Sequence, residues 1–181
     1  GRASGGDGVN EPLVLEASPG ERKITLTKEL LEAVRRRHGN YGGTPERWAF
    51  LEELRFGTGW GDGAEQRIDA WAMALWASKT YQRIAYELKV SRADFLHEIK
   101  SPLKRRRALT ISNQFYFVVP EGLVNIEEVP LDSGLIEVYY SKAGTLATRI
   151  TVEAIWRDTP PPPWRFFAAI LRRVIRDKVG P

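Results

Sequence analysis

The sequence predicts an α/β fold, with helices packing on a β-sheet, and three observations predict it. Residues 66–75 and 82–90 carry the two-residue period of strands, so that Ile84, Tyr86, Leu88 and Val90 share one face. Phe115 to Val119 is a short, wholly apolar run of the kind found at the centre of a sheet. Residues 27–37 and 164–179 show the three-to-four-residue spacing of amphipathic helices instead. Helices and strands that alternate in this way build layered α/β domains.

Each element has its own local justification. Residues 1–20 are rich in Gly, Ser, Asp and Pro and read as a flexible tail. Thr27 is placed to cap a helix running through Leu30, Leu31, Val34 and Arg37, with Gly39 as its stop. Thr44 is placed to cap a second helix. Its first position is Pro45, where the missing N–H costs nothing, and its stripe is Trp48, Leu51 and Leu54. Gly57, Gly59, Gly61 and Gly63 then mark a loop, which lacks the Gly-Lys-Ser/Thr of a phosphate-binding loop. Trp60 in that loop is either an anchor packed on the core or a stacking platform for a base.

Two strands follow, and then a helix from Arg92 with Ser91 as its cap and Asp94 in its first turn. Pro102 breaks that helix and a second starts near Ser101. After the apolar strand, Gly134 to Tyr140 and Thr145 to Val152 read as a hairpin around Lys142-Ala143-Gly144. Pro160 to Pro163 form a stiff spacer. The final helix is expected to bury Phe167, Ile170, Leu171, Val174 and Ile175, against its own sheet or against a second copy in a homodimer. The chain thus divides into the tail, an α/β domain over 21–158, and the spacer with the C-terminal helix over 159–181.

Composition narrows the chemistry. At 181 residues, 43% hydrophobic and 28% charged, the chain suits one globular domain with a sizeable core. It has no cysteine, which excludes disulfides, thiolate-bound zinc and thiol catalysis and fits either indifference to redox or a reducing compartment, expected to be the cytoplasm of a bacterial or phage-infected cell. Two histidines, His38 and His97, are too few for a histidine-rich metal site, so any metal is expected on oxygen ligands, favouring Mg²⁺ or Mn²⁺. No apolar run reaches the roughly 20 residues of a membrane helix, and none has a signal-peptide pattern. The net charge of +4 is modest, but Lys100, Lys104, Arg105, Arg106 and Arg107 crowd one segment and Arg165, Arg172, Arg173, Arg176 and Lys178 another. Such clusters concentrate polyanions or simply form solvated helix faces. The first is read as a nucleic-acid contact because it follows the candidate site directly, the second as a solvated face.

That candidate site is carboxylate-rich. Asp69 lies in the first strand of the pair, and Glu87 and Lys89 share one face of the second. Two carboxylates can hold a hard divalent cation, and a lysine beside them can orient a water or steady a phosphate. These are the parts of metal-assisted phosphodiester hydrolysis. Glu-x-Lys occurs three times, at Glu21, Glu87 and Glu98, and only the middle copy sits in an alternating strand with an acidic strand upstream. The alternative is the solvated face of an ordinary strand.

The longer pattern comprises Glu53-Leu54-Arg55, Thr58-Gly59, Arg67-Ile68-Asp69-Ala70 and Glu87 through Asp94, followed by the basic helix and Phe115 to Leu123. Over about residues 45–140 it resembles the PD-(D/E)XK nuclease superfamily, in particular its branch of MmcB-like DNA repair proteins, which also occurs in phage and actinobacterial genomes. The resemblance implies a restriction-endonuclease-like αβββαβ core, a mixed central sheet flanked by helices, and a Mg²⁺- or Mn²⁺-dependent deoxyribonuclease acting in repair, recombination or phage DNA processing. It assigns Asp69, Glu87 and Glu53 (or its neighbour Glu52), with the Leu88 backbone carbonyl, to the metal and Lys89 to the attacking water. Ser91, Arg92, Lys100, Lys104, Arg105, Arg106, Arg107 and Gln114 are the candidate contacts to DNA. Ser91 and Arg92 serve equally as a helix cap and a surface cation, and a strand-edge position explains Gln114 as well. The competing readings are an accessory protein that binds nucleic acid without cutting it, and a nuclease active only within a larger assembly.

Overall fold

The computed structural model describes residues 23–39, 47–56 and 66–179. The order of elements is α1 (Thr27–Arg37), β1 (Trp48–Arg55), β2 (Arg67–Ala74), β3 (Arg83–Leu88), α2 (Arg92–Ile99), α3 (Pro102–Leu109), β4 (Gln114–Pro120), β5 (Gly134–Tyr140), β6 (Leu146–Val152) and α4 (Trp164–Val179). The strands form one six-stranded sheet in sequential order. β1, β2 and β3 are mutually antiparallel, β3, β4 and β5 run parallel, and β6 returns antiparallel. A parallel pair cannot be closed by a tight turn, and α2 with α3 supplies the crossover from β3 to β4.

Helices cover both faces of this mixed sheet. On one face Leu30 and Val34 of α1 pack with Ala70, Tyr86, Val118 and Ile136. On the other Phe95 of α2, Ala108 of α3 and Phe166 of α4 pack with Trp71, Ala85, Phe117 and Leu135. β4 is buried from Gln114 to Val119, as its unbroken apolar run requires. At Gly134 a Cβ would stand 2.5 Å from the Tyr116 ring and 2.7 Å from the Ala154 nitrogen, so only glycine fits there. Among the described residues no helix is long and apolar enough to cross a membrane.

Three expectations need correction. Residues 48–55 are a strand and not a helix, while Thr44, Pro45 and Trp60 lie outside the described residues. The spacing of Leu51 and Leu54 has another cause. Both enter the same core cluster, although an unbroken strand would point them to opposite faces. Glu53 between them has φ 48°, and this left-handed residue breaks the alternation. A strand with one such break imitates the three-residue spacing of a helix. Thr27, moreover, is the first residue of α1 and does not cap it. The Glu29 carboxylate accepts the backbone N–H groups of Thr25 and Leu26 instead. Finally, α4 buries Phe166 and half-buries Ile170 and Val174, leaving Phe167, Leu171 and Ile175 exposed. Rows 166/170/174 and 167/171/175 have the same helical period, so periodicity alone could not choose. The choice falls to Phe166, whose ring meets Trp71 edge-on at 5.6 Å.

Candidate functional site

The β2–β3 ladder sets Ala70 opposite Tyr86, its last pair before Asp69 and Glu87. Glu87 pairs beside Phe117 of β4 and shares its face of the sheet, the one covered by α2, α3 and α4. The ladder opens at this point. Asp69 Oδ2 accepts the backbone N–H of Leu88 at 2.9 Å, while the next N–H, of Lys89, donates to the Val118 carbonyl of β4 at 3.0 Å. Two strands and one side-chain clasp thereby position Asp69, Glu87 and Lys89 together.

Glu87 is the centre of the cluster, with only 1% of its surface exposed. Its Oε1 accepts from Lys89 Nζ at 2.7 Å and from Lys104 Nζ of α3 at 2.6 Å. Glu98 of α2 stands 3.2 Å from the other side of Lys89 Nζ. Burial pushes the Glu87 carboxyl above its usual range and the Asp69 charge adds to this, with Lys104 and Lys89 offsetting part of it. Burial draws the Lys89 ammonium down, but Glu87, Glu98 and Asp69 outweigh it and hold the group above its ordinary value. A surface pocket of about 180 Å³, lined by Lys89, Asp94, His97 and Glu98, opens beside the cluster.

The remaining candidates are placed elsewhere. Glu53 is exposed and faces Arg67 at 3.8 Å, and Glu52 turns to the α1 face, where it pairs with Arg35. Ser91 caps α2, accepting the Asp94 N–H at 3.1 Å. Arg92 forms a two-pronged pair with Glu128. Lys100 and Arg106 are exposed and Arg107 is half-buried. Arg105 does not stand with them: it is buried, and its Nε donates to Asp132 at 2.7 Å. Gln114 lies on the opposite face of the sheet, buried, with its Nε2 donating to the Ala154 carbonyl at 2.9 Å.

The sequence pattern assigned Lys104 to phosphate and passed over Glu98, yet both complete the cluster. No strand period reports on them, because they arrive from helices α2 and α3. Among the described residues no three His, Cys, Asp or Glu side chains converge as metal ligands. The donors present fit a Mg²⁺-type ion nonetheless, since such an ion takes one or two carboxylates and completes its shell with water and substrate phosphate.

Fold and cluster together define an α/β protein in which three carboxylates and two lysines meet on one face of a mixed six-stranded sheet. A solved structure, the SPO1766 protein of unknown function from Silicibacter pomeroyi, is similar to it, with a TM-score of 0.52 and 21% sequence identity over 92% of this chain and 97% of that one. This likeness concerns the fold alone. No family model matches the sequence, and no curated protein matches it.

Proposed function

We propose that this chain is a metal-dependent nuclease with a PD-(D/E)XK core that hydrolyses phosphodiester bonds in DNA, in repair, recombination or phage DNA processing. The observation that carries the proposal is the convergence of Asp69, Glu87 and Lys89 on two adjacent strands, with Lys104 arriving from the crossover. The order α1-β1-β2-β3-α2-α3-β4, antiparallel through β3 and then parallel, supports the αβββαβ reading. Asp69, Glu87 and the Leu88 carbonyl are the groups to hold Mg²⁺ or Mn²⁺. The ion would supply positive charge against the phosphate as it becomes pentacovalent. Lys89, held by Glu87 and Glu98, is placed to orient the attacking water. Lys104 adds a second cation against substrate phosphate. Lys100, Arg106 and Arg107 extend the positive surface along the crossover and bind backbone without reading sequence. Glu53, exposed and paired with Arg67, takes no part.

One observation favours a second reading, binding without cleavage. Two ammonium groups already share Glu87 Oε1 and neutralise the carboxylate that a metal needs. Incubation of the purified chain with plasmid and linear DNA in Mg²⁺, Mn²⁺ or chelator separates the two. Cleavage that needs the metal and disappears in Asp69→Ala and Glu87→Ala is expected. Salt-sensitive binding with no cleavage in either metal supports the accessory reading, and cleavage that survives both substitutions refutes the assignment of this site.

A further inference from the structure

A second polar site lies on the other face of the sheet, away from the Glu87 cluster. A pocket of about 360 Å³ opens between the end of α1, the start of β1 and the sheet. That volume falls within the range of small-molecule sites, about 300–1,000 Å³. Its walls are aromatic: Trp48, Tyr86, Tyr116 and the His38 imidazole, which lies 4.4 Å from the Trp48 ring and 5.7 Å from Tyr86.

This end of the face is polar where the sheet interior should be apolar. Farther along the same face stand Leu88, Val118, Ile136 and Val138. At the pocket His38, Tyr86, Tyr116 and Gln114 are buried beside Ile84. Each buried polar group costs stability unless paired, and the pairs are specific. His38 Nε2 meets the Tyr86 hydroxyl at 2.5 Å. The Tyr116 hydroxyl donates to Glu153 at 2.5 Å, and Gln82 donates to Gln114 at 2.6 Å. Nδ1 of His38 is buried and has no partner among the described residues. Burial lowers His38 to about 4 and raises Tyr86 and Tyr116, so the rings are uncharged at neutral pH. The charged lining groups are Arg37 and Glu153.

Behind Trp48 the buried rings of His38, Tyr86 and Tyr116 pack on one another, while Trp48 itself is half-buried and suits the π-face of a planar heterocycle, as aromatic side chains that stack on bases do. The amides of Gln82 and Gln114 and the Glu153 carboxylate offer both donors and acceptors to its edge. Arg37, exposed beside the pocket, offers a fork for an anionic substituent. We propose that this pocket binds a nucleoside 5′-monophosphate, with the base against the half-buried Trp48 ring and the phosphate at Arg37. The proposal is independent of the nuclease reading, because no residue is shared between the two sites.

The test is the melting temperature of the full chain in chelator with AMP, GMP, CMP or UMP at about 10 mM. Ligand bound only by the folded state stabilises it by mass action, and a rise of about 2–5 °C is expected for at least one nucleotide. Inorganic phosphate and ribose 5-phosphate should give no comparable rise. Arg37→Ala and Gln82→Ala, each read against its own unliganded melting temperature, should lose most of the nucleotide-dependent rise. Asp69→Ala should keep the rise in full, which separates this pocket from the cluster. The proposal is overturned if no nucleotide raises the melting temperature, if phosphate alone does so equally, or if Arg37→Ala and Gln82→Ala retain the effect.

Discussion

Replacing Glu87 and Lys104 together, as Glu87→Gln with Lys104→Met, should leave the protein as stable as before or more so. The geometry shows why the terms nearly cancel. Lys104 and Lys89 approach Glu87 Oε1 at 2.6 and 2.7 Å, which at an effective dielectric of about 20 is an attraction of about 6 kcal/mol each. Against it stand three desolvated ions. The Glu87 side chain is 2% exposed, Lys89 16% and Lys104 27%, and desolvation costs several kcal/mol per ion. Repulsion between Glu87 and Asp69 adds to the cost. Neutral, well-packed replacements of buried ion pairs are typically neutral or stabilising by about 1–4 kcal/mol. For a chain of this size that is a rise in Tm of up to about 16 °C. The single change Glu87→Ala removes the carboxylate paired with Lys104 and leaves Lys89 with Glu98 alone, and should cost about 3–5 kcal/mol. Thermal and urea denaturation of the wild type, both singles and the double measure all of this. A site kept for chemistry is poorly optimised for stability, so the double variant should be stable and inactive. If it instead loses about 3 kcal/mol or more, the cluster is a structural ion pair and the reasoning from it to function fails.

Other expected outcomes follow from particular residues. His38 has its folded-state value lowered to about 4 from 6.5. The unfolded chain therefore takes up this proton first, and its contribution, present above pH 6.5, is lost as pH falls towards 4. The loss amounts to about 3 kcal/mol, and denaturation of His38→Phe across that range should show it missing. Arg105→Ala should lower stability by about 1–3 kcal/mol, because it removes the cation paired with Asp132 and leaves that carboxylate with the Ser133 hydroxyl. Lys100→Ala, Arg106→Ala and Arg107→Ala should leave stability within about 0.5 kcal/mol, while the slope of log DNA affinity against log salt shrinks by ~0.9 for each phosphate no longer neutralised. An unchanged slope would make this run a solvated face. Phe166→Ala should cost about 3–5 kcal/mol, as removal of a buried aromatic ring does, whereas Phe167→Ala should cost little. Sedimentation of a Phe167, Leu171 and Ile175 triple alanine variant tests whether a second copy covers that exposed row.

The sequence by itself determined the strands whose periods were unambiguous. Ile84, Tyr86, Leu88 and Val90 alternate cleanly, and Phe115 to Val119 is apolar throughout, so β3 and β4 were legible. The breaks at Ser91 and Pro102 were legible too, since capping and the missing proline N–H are local chemistry. From the alternation of β3 followed the placement of Glu87 and Lys89 on one face, while the pairing of β2 beside β3 decided that Asp69 joins them. Tertiary structure decided what local period left degenerate. The left-handed Glu53 made β1 imitate a helix, and only pairing with β2 revealed it as a strand. Two apolar rows on α4 had the same period, and packing of Phe166 on Trp71 selected one. Four lysine or arginine side chains in succession, Lys104 to Arg107, are equivalent in sequence. The fold separates them, Lys104 onto Glu87, Arg105 onto Asp132, Arg106 into solvent and Arg107 half-buried, because a helix distributes successive side chains around its axis and the sheet beneath covers only part of it. The pocket around His38, Tyr86 and Gln114 was beyond the sequence for the same reason. Its residues come from α1, β1, β3, β4 and β6 and the segments flanking them, and such separations in the chain are brought to a few ångströms only by packing.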